Sequence, residues 1–163
     1  AVAELMTGRL CVHGIADLEK IAEYAAEGMQ LWVAACSKGW LCGGVTGDGK
    51  GVVTLFSGTQ SAAMPLSFPA SKGAAFWHGE KEKAVVAHVW DDCLTFVELT
   101  EDGLKLAGWT ECGRMPDELC VDQKEEVIYV SCMMENAVEA FSFAGERMFS
   151  VPVGREPRGL ALW

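Results

Sequence analysis

The sequence predicts an all-β protein built from antiparallel four-stranded modules that recur about every 40 residues. Three observations carry this. Short apolar runs alternate with turn residues along the chain, as in VVAHVW at 85–90 and VIYVSC at 127–132. Such runs, bounded by Gly, Asp and Asn, read as strands, and the uninterrupted ones as strands buried on both faces. Landmarks also repeat: Gly113 to Gly154 and Pro116 to Pro157 are each 41 residues apart, and Val85 to Val127 is 42. Finally, the 163 residues include 18 Gly but only 5 Pro, the composition of a chain with many turns. Repeats of about 40 residues with four short strands each are the signature of β-propeller blades.

Composition narrows the function classes. Half the residues are hydrophobic and 22% are charged, so the chain can bury a core. A net charge of −10 offers nothing to neutralise a polyanion, which argues against a nucleic-acid partner. No apolar segment approaches the ~18–20 residues of a membrane helix, and no leader pattern is visible, so no membrane partner is expected. The seven Cys contain no C-x-x-C, which argues against a metal site. Most lie in apolar strand contexts, and buried free thiols fit a reducing, cytoplasmic compartment.

In chain order, residues 1–13 read as the third and fourth strands of a module, with Gly8 matching Gly145. Residues 15–29 are ambiguous. Leu18, Ile21, Ala22, Ala25 and Ala26 make a helical face, yet the module needs a first strand here; strand is favoured at 17–26. Residues 31–36 (LWVAAC) then match 127–132 as a second strand. The Gly-rich stretch 37–51 reads as a long loop before a third strand at 52–56 and a fourth at 64–68.

The next module has strands at 74–77, 85–90, 94–99 and 104–109, with turns at 79–83, 91–92 and 101–103. The last has strands at 119–121, 127–132, 137–143 and 147–153, and residues 160–163 open a new one. The expected single domain thus has blades at 15–68, 74–112 and 118–153, with part-blades at 1–13 and 158–163.

In the last module, Tyr129-Val130, Asn136-Ala137-Val138, Gly145 and then Val153-Gly154-x-x-Pro157-x-Gly159-Leu160-Ala161 follow one another. This resembles the YVTN type of propeller repeat, related to NHL-type propellers and to lactonases similar to 6-phosphogluconolactonase. The resemblance implies a loop face, formed before the first strand and between the second and third strands of each blade, where ligands bind. It is specific for fold and nearly silent on function.

On this chain that face collects Asp91, Asp92, Arg114, Asp117, Arg155 and Arg158. The bland reading is a solvated rim. The functional one is an anion or carbonyl site built on Arg114, Arg155 and Arg158, because the guanidinium fork matches carboxylate and phosphate. Trp40, placed in the Gly-rich loop, is a candidate contact residue; the other five Trp read as inter-blade packing. Residues 44–50 fit G-x-x-x-x-G-K, but Gly51 replaces the Ser/Thr that would hold magnesium, and no helix follows. His88 lies three residues before Asp91; a packed core histidine is the simpler reading than a general base.

The reading is a binding or interaction scaffold that presents its loop face to a small ligand or a protein, with no cofactor. The alternative is a lactonase-like hydrolase acting on a sugar lactone. Those lactonases tend to carry His after an inter-blade Pro-Arg, whereas Gly159 follows Pro157-Arg158 here. Whether the chain is an enzyme is left open. Three blades and two part-blades make about half a ring, so either two copies close one ring or the chain is part of a longer propeller.

Overall fold

A computed structural model describes the backbone of residues 2–4, and residues 8–14 and 16–162 in full. The fold is all-β, with fifteen strands in four antiparallel sheets among the described residues. The first sheet has three strands, β1 (Val2–Glu4), β2 (Arg9–His13) and β3 (Lys20–Ala25), in the order β1-β2-β3. The second has β4 (Met29–Cys36), β5 (Gly39–Val45), β6 (Gly51–Ser57) and β7 (Gln60–Leu66). The third has β8 (Lys72–His78), β9 (Lys81–His88), β10 (Cys93–Thr100) and β11 (Gly103–Glu111). The fourth has β12 (Pro116–Asp122), β13 (Val127–Cys132), β14 (Ala137–Ser142) and β15 (Arg147–Pro152). Every strand pairs with its neighbour in sequence, the up-and-down order of propeller blades.

The sheets pack face to face in chain order. Between the second and third lie Leu41, Val53, Leu55 and Leu66 against Ala84, Val86, Val97 and Leu99. Phe76, Val85, Ala87, Leu94 and Phe96 on the other face of the third sheet meet Ile128, Val130 and Phe141 of the fourth sheet and Phe143 of its β14–β15 turn. Val85, Val86 and Ala87 therefore bury side chains on both faces, which is why three apolar residues stand in succession there. Leu10 packs with Cys42 and Phe56 between the first two sheets, and Tyr24 stacks on Phe56 at 4.9 Å.

The sequence reading is corrected in its first half. The Gly-rich stretch 37–51 is not a long loop: it contains β5, paired with β4 and β6, and only a short turn at 46–50. The glycines within β5 serve close packing. A Cβ on Gly43 would stand 2.7 Å from the Trp32 indole, and one on Gly44 would stand 1.8 Å from the Met29 carbonyl oxygen. Gly73, across the sheet interface, approaches the same indole from the other side.

Residues 31–36 are consequently the core of a first strand, not a second, and the blade expected at 15–68 begins at Met29. Residues 20–25 are a strand, as favoured, but it pairs with β2 and so completes the preceding sheet. Residues 160–162 form no strand here, and Leu5 and Trp163 lie outside the described residues. No helix among the described residues is long and apolar enough to cross a membrane.

Candidate functional site

The loop face is built by one backbone device used twice. Asp92 and Asn136 each stand directly before the third strand of their sheet, in left-handed conformation with φ of 52° and 51°. Short polar side chains tolerate this region best. The Asp92 carbonyl accepts the Cys112 N–H at 2.9 Å, and the Asn136 carbonyl accepts the Val153 N–H at 2.8 Å. Their side-chain oxygens reach further. Asp92 Oδ1 accepts the Met115 N–H at 2.8 Å, and Asn136 Oδ1 accepts the Glu156 N–H at 3.1 Å. Cys112 and Val153 are 41 residues apart, as are Met115 and Glu156. Each pair of bonds ties the exit of a sheet to the turn inside it, and sets the direction in which the chain leaves.

The first sheet has the same clamp in glycine form. Gly8, with φ of 63°, precedes β2, and its carbonyl accepts the Ala26 N–H at 2.6 Å. Gly8 is thus equivalent to Asp92 and Asn136, not to Gly145. Residues 1–13 supply second and third strands, a correction to the expected third and fourth.

The predicted site residues separate. Arg114 is exposed and its Nε donates to Glu135 Oε1 at 2.7 Å, a pair that holds the guanidinium even more firmly protonated than usual. Beside it, buried Glu139 accepts the Gly113 N–H at 2.9 Å and pairs with Arg147 at 3.1 Å. Arg114, Glu135, Glu139 and Arg147 line one depression of about 440 Å³. Asp92 is committed to the clamp. Asp117 lies half-buried near the start of β12, by a register shift between Pro116 and Leu119. Arg155, the repeat equivalent of Arg114, and Arg158 are exposed on the segment after β15. Asp91 faces a different cleft, between the second and third sheets.

Trp40 is corrected: it lies in β5, half-buried against the Leu10–Cys42–Phe56 cluster, rather than in an exposed loop. Of the other tryptophans, only Trp32 is buried among the described residues, while Trp77, Trp90 and Trp109 are exposed.

His88 is a packed core histidine. Its Nδ1 lies 2.8 Å from the Pro69 carbonyl oxygen, so Nδ1 carries the proton and donates. Nε2 then accepts from the Thr95 hydroxyl at 2.8 Å. Burial holds its pKa below the ordinary value.

The sequence reading singled out as site residues neither Glu139 and Arg147, which line the depression beside Arg114, nor Leu106 and Trp109, which line the cleft that Asp91 faces. For the last two there was a signal, an isolated Gly108 inside a strand, which marks a bulge and a break in alternation.

No protein-family model matches the chain, and no curated protein matches it in sequence. Solved structures do. A functionally unknown protein from Desulfotomaculum acetoxidans DSM 771 superposes with a TM-score of 0.78 at 12% identity, over 95% of this chain and 53% of that one. A candidate 6-phosphogluconolactonase from Bacteroides uniformis gives 0.64 at 11% identity, over 90% of this chain and 48% of that one. BBS1N, solved in complex with ARL6DN, gives 0.65 at 13% identity, over 93% and 48%. The neighbours include β-propeller-like proteins, and at these identities the likeness shows the fold alone. The chain spans about half the length of the solved structures it matches.

Proposed function

We propose that the chain is about half of a YVTN-type propeller ring and serves as a binding scaffold, presenting its loop face to a small ligand or a protein. The observation that carries this is the repeated clamp. Two successive junctions hold their backbones by the same bonds and present Arg114 and Arg155 at equivalent positions. A rigid scaffold carrying variable charged loops is the arrangement binding surfaces use. The complex of BBS1N with ARL6DN is a neighbour in which such a fold meets a protein partner.

The second reading, a lactonase-like hydrolase, is favoured by the Bacteroides uniformis neighbour and by the exposed Arg158. Its core histidine is bound on both ring nitrogens, which leaves it no lone pair for a substrate.

The test is titration of the chain with an organic dicarboxylate by calorimetry, beside an acid-release assay on a panel of sugar lactones. The scaffold reading expects saturable binding that Arg155→Ala weakens, and no acid release. Acid release that disappears in Arg158→Ala would replace it with the hydrolase.

A further inference from the structure

A second cleft, of about 530 Å³, opens between the second and third sheets. Phe68 walls it on one side, from the segment that leaves β7, and Leu106, Trp109 and Glu111 wall it on the other, from β11. Asp91 stands at its loop-face end and Thr95 contributes to its floor. This volume is in the range of small-molecule sites.

The wall of β11 depends on a β-bulge. Val97 pairs with Leu106 but Phe96 pairs with Gly108, so Ala107 is the extra residue. Trp109 then lies opposite Thr95, and Glu111 opposite Cys93. Cys93, Thr95 and Val97 alternate on one face of β10, so Leu106, Trp109 and Glu111 share that face too. Regular pairing would have sent Leu106 and Trp109 to opposite sides.

These side chains are not required by the core. Trp109 is 64% exposed, Leu106 55% and Phe68 39%, and none belongs to the buried cluster between the two sheets. Yet the surface beneath them is fixed. His88 holds Thr95 and the Pro69 carbonyl, and Phe68 meets the edge of the His88 ring at 5.8 Å. The cleft is therefore preformed, which lowers the ordering cost of binding.

Its charge has one sign. Asp91 and Glu111 line it and no Lys or Arg does. The Cys93 thiol reports the same field: burial, then the carboxylates of Asp91, Asp92 and Glu111, push it up to about 11.

We propose that this cleft binds a small organic ammonium, its apolar body against Phe68 and Leu106 and its cation between Trp109 and the two carboxylates. An indole face attracts a cation through its quadrupole, and carboxylates at the rim complete the charge balance. Arg114, Arg155 and Arg158 take no part, so this site stands whether or not the loop face binds an anion.

The test is calorimetric titration of the full chain with benzyltrimethylammonium at low salt. Expected are saturable binding, about tenfold weaker in Trp109→Ala and weaker in Glu111→Gln, and a decline with added salt. Neopentylbenzene, which carries carbon in place of the charged nitrogen, should bind about tenfold less well. Because Trp109 is exposed, Trp109→Ala should retain the parent's melting temperature. Equal affinity for the neutral isostere, unchanged affinity in Trp109→Ala, or no saturation at roughly 10 mM would overturn the proposal.

Discussion

Asp92 and Asn136 show how a single side chain can organise a junction. The turn before the third strand takes a left-handed residue at both positions, and backbone N–H groups must also be satisfied where the chain leaves the sheet. An Asx side chain does both. Removing Oδ1 leaves the Met115 or Glu156 N–H without its partner while the backbone bond survives. Asp92→Ala should lower stability by about 1–3 kcal/mol in denaturant titration, and Asn136→Ala, whose bond to Glu156 is open to water, by less. Asp92→Asn, which keeps an acceptor oxygen, should cost less than Asp92→Ala. Asp91→Ala, one position away and outside the clamp, should lie within about 0.5 kcal/mol of the parent.

His88 makes the second prediction at this scale. Its folded pKa lies below the unfolded value of about 6.5, because burial disfavours the imidazolium more than nearby Asp91 favours it. The unfolded chain therefore binds the proton first as pH falls. Stability from this group is complete above about pH 6.5 and is lost as pH drops below that toward the folded value. Each unit of separation is worth about 1.4 kcal/mol. Melting followed from pH 7.5 to 5.5 should show this loss, and His88→Asn should show a smaller one from a lower starting point. Equal slopes in the two proteins would mean that His88 does not titrate on unfolding.

At the scale of the element, the contrast between β5 and the third and fourth sheets explains what could be read in advance. Val127–Cys132 was legible to the residue because β-branched and aromatic side chains fill an interface there, and composition reports that need directly. In β5 the interface is filled from the neighbouring strand, β4. The Trp32 indole occupies the space that side chains on Gly43 and Gly73 would take, so the strand carries glycine and reads as a loop. The cleft wall was hidden for a related reason: a bulge shifts the register by one, and alternation counted from sequence assigns Trp109 to the wrong face. The turn positions of Asp92, Arg114 and Arg155 were legible, since polar residues at turns are visible, but the clamp at Asp92 and the ion pair at Arg114 depend on backbone geometry.

The reading of β5 makes opposite forecasts for neighbouring glycines. Gly43→Val and Gly44→Val should abolish folding or cost several kcal/mol, through collision with Trp32 or with the β4 backbone. Gly47→Ala, where a Cβ meets nothing within 4 Å, should be tolerated. Near-parent melting of all three would return residues 37–51 to the status of a loop.

At the scale of the whole molecule, the governing fact is that among the described residues the fourth sheet is packed on one side and exposes apolar side chains beyond it. On the fourth sheet and its exit, Met148, Phe149, Val151 and Val153 are exposed, whereas the third sheet is covered on both sides. An apolar sheet face of this kind is a site for another sheet. The segment after β15 already points to one. It carries Gly154, Glu156 in left-handed conformation and Pro157, as Gly113, Met115 and Pro116 precede and open β12, and Asn136 holds it by the clamp that Asp92 uses there. A half-ring closed by a second copy would give a molar mass near twice 17.6 kDa by light scattering. Phe149→Glu with Val151→Glu should then return the mass to that of one chain while the β-rich far-UV spectrum persists, because both side chains are exposed within the single chain. A compact monomer of the parent sequence would rule out closure by a second copy, and would leave the open face to blades carried on the same polypeptide.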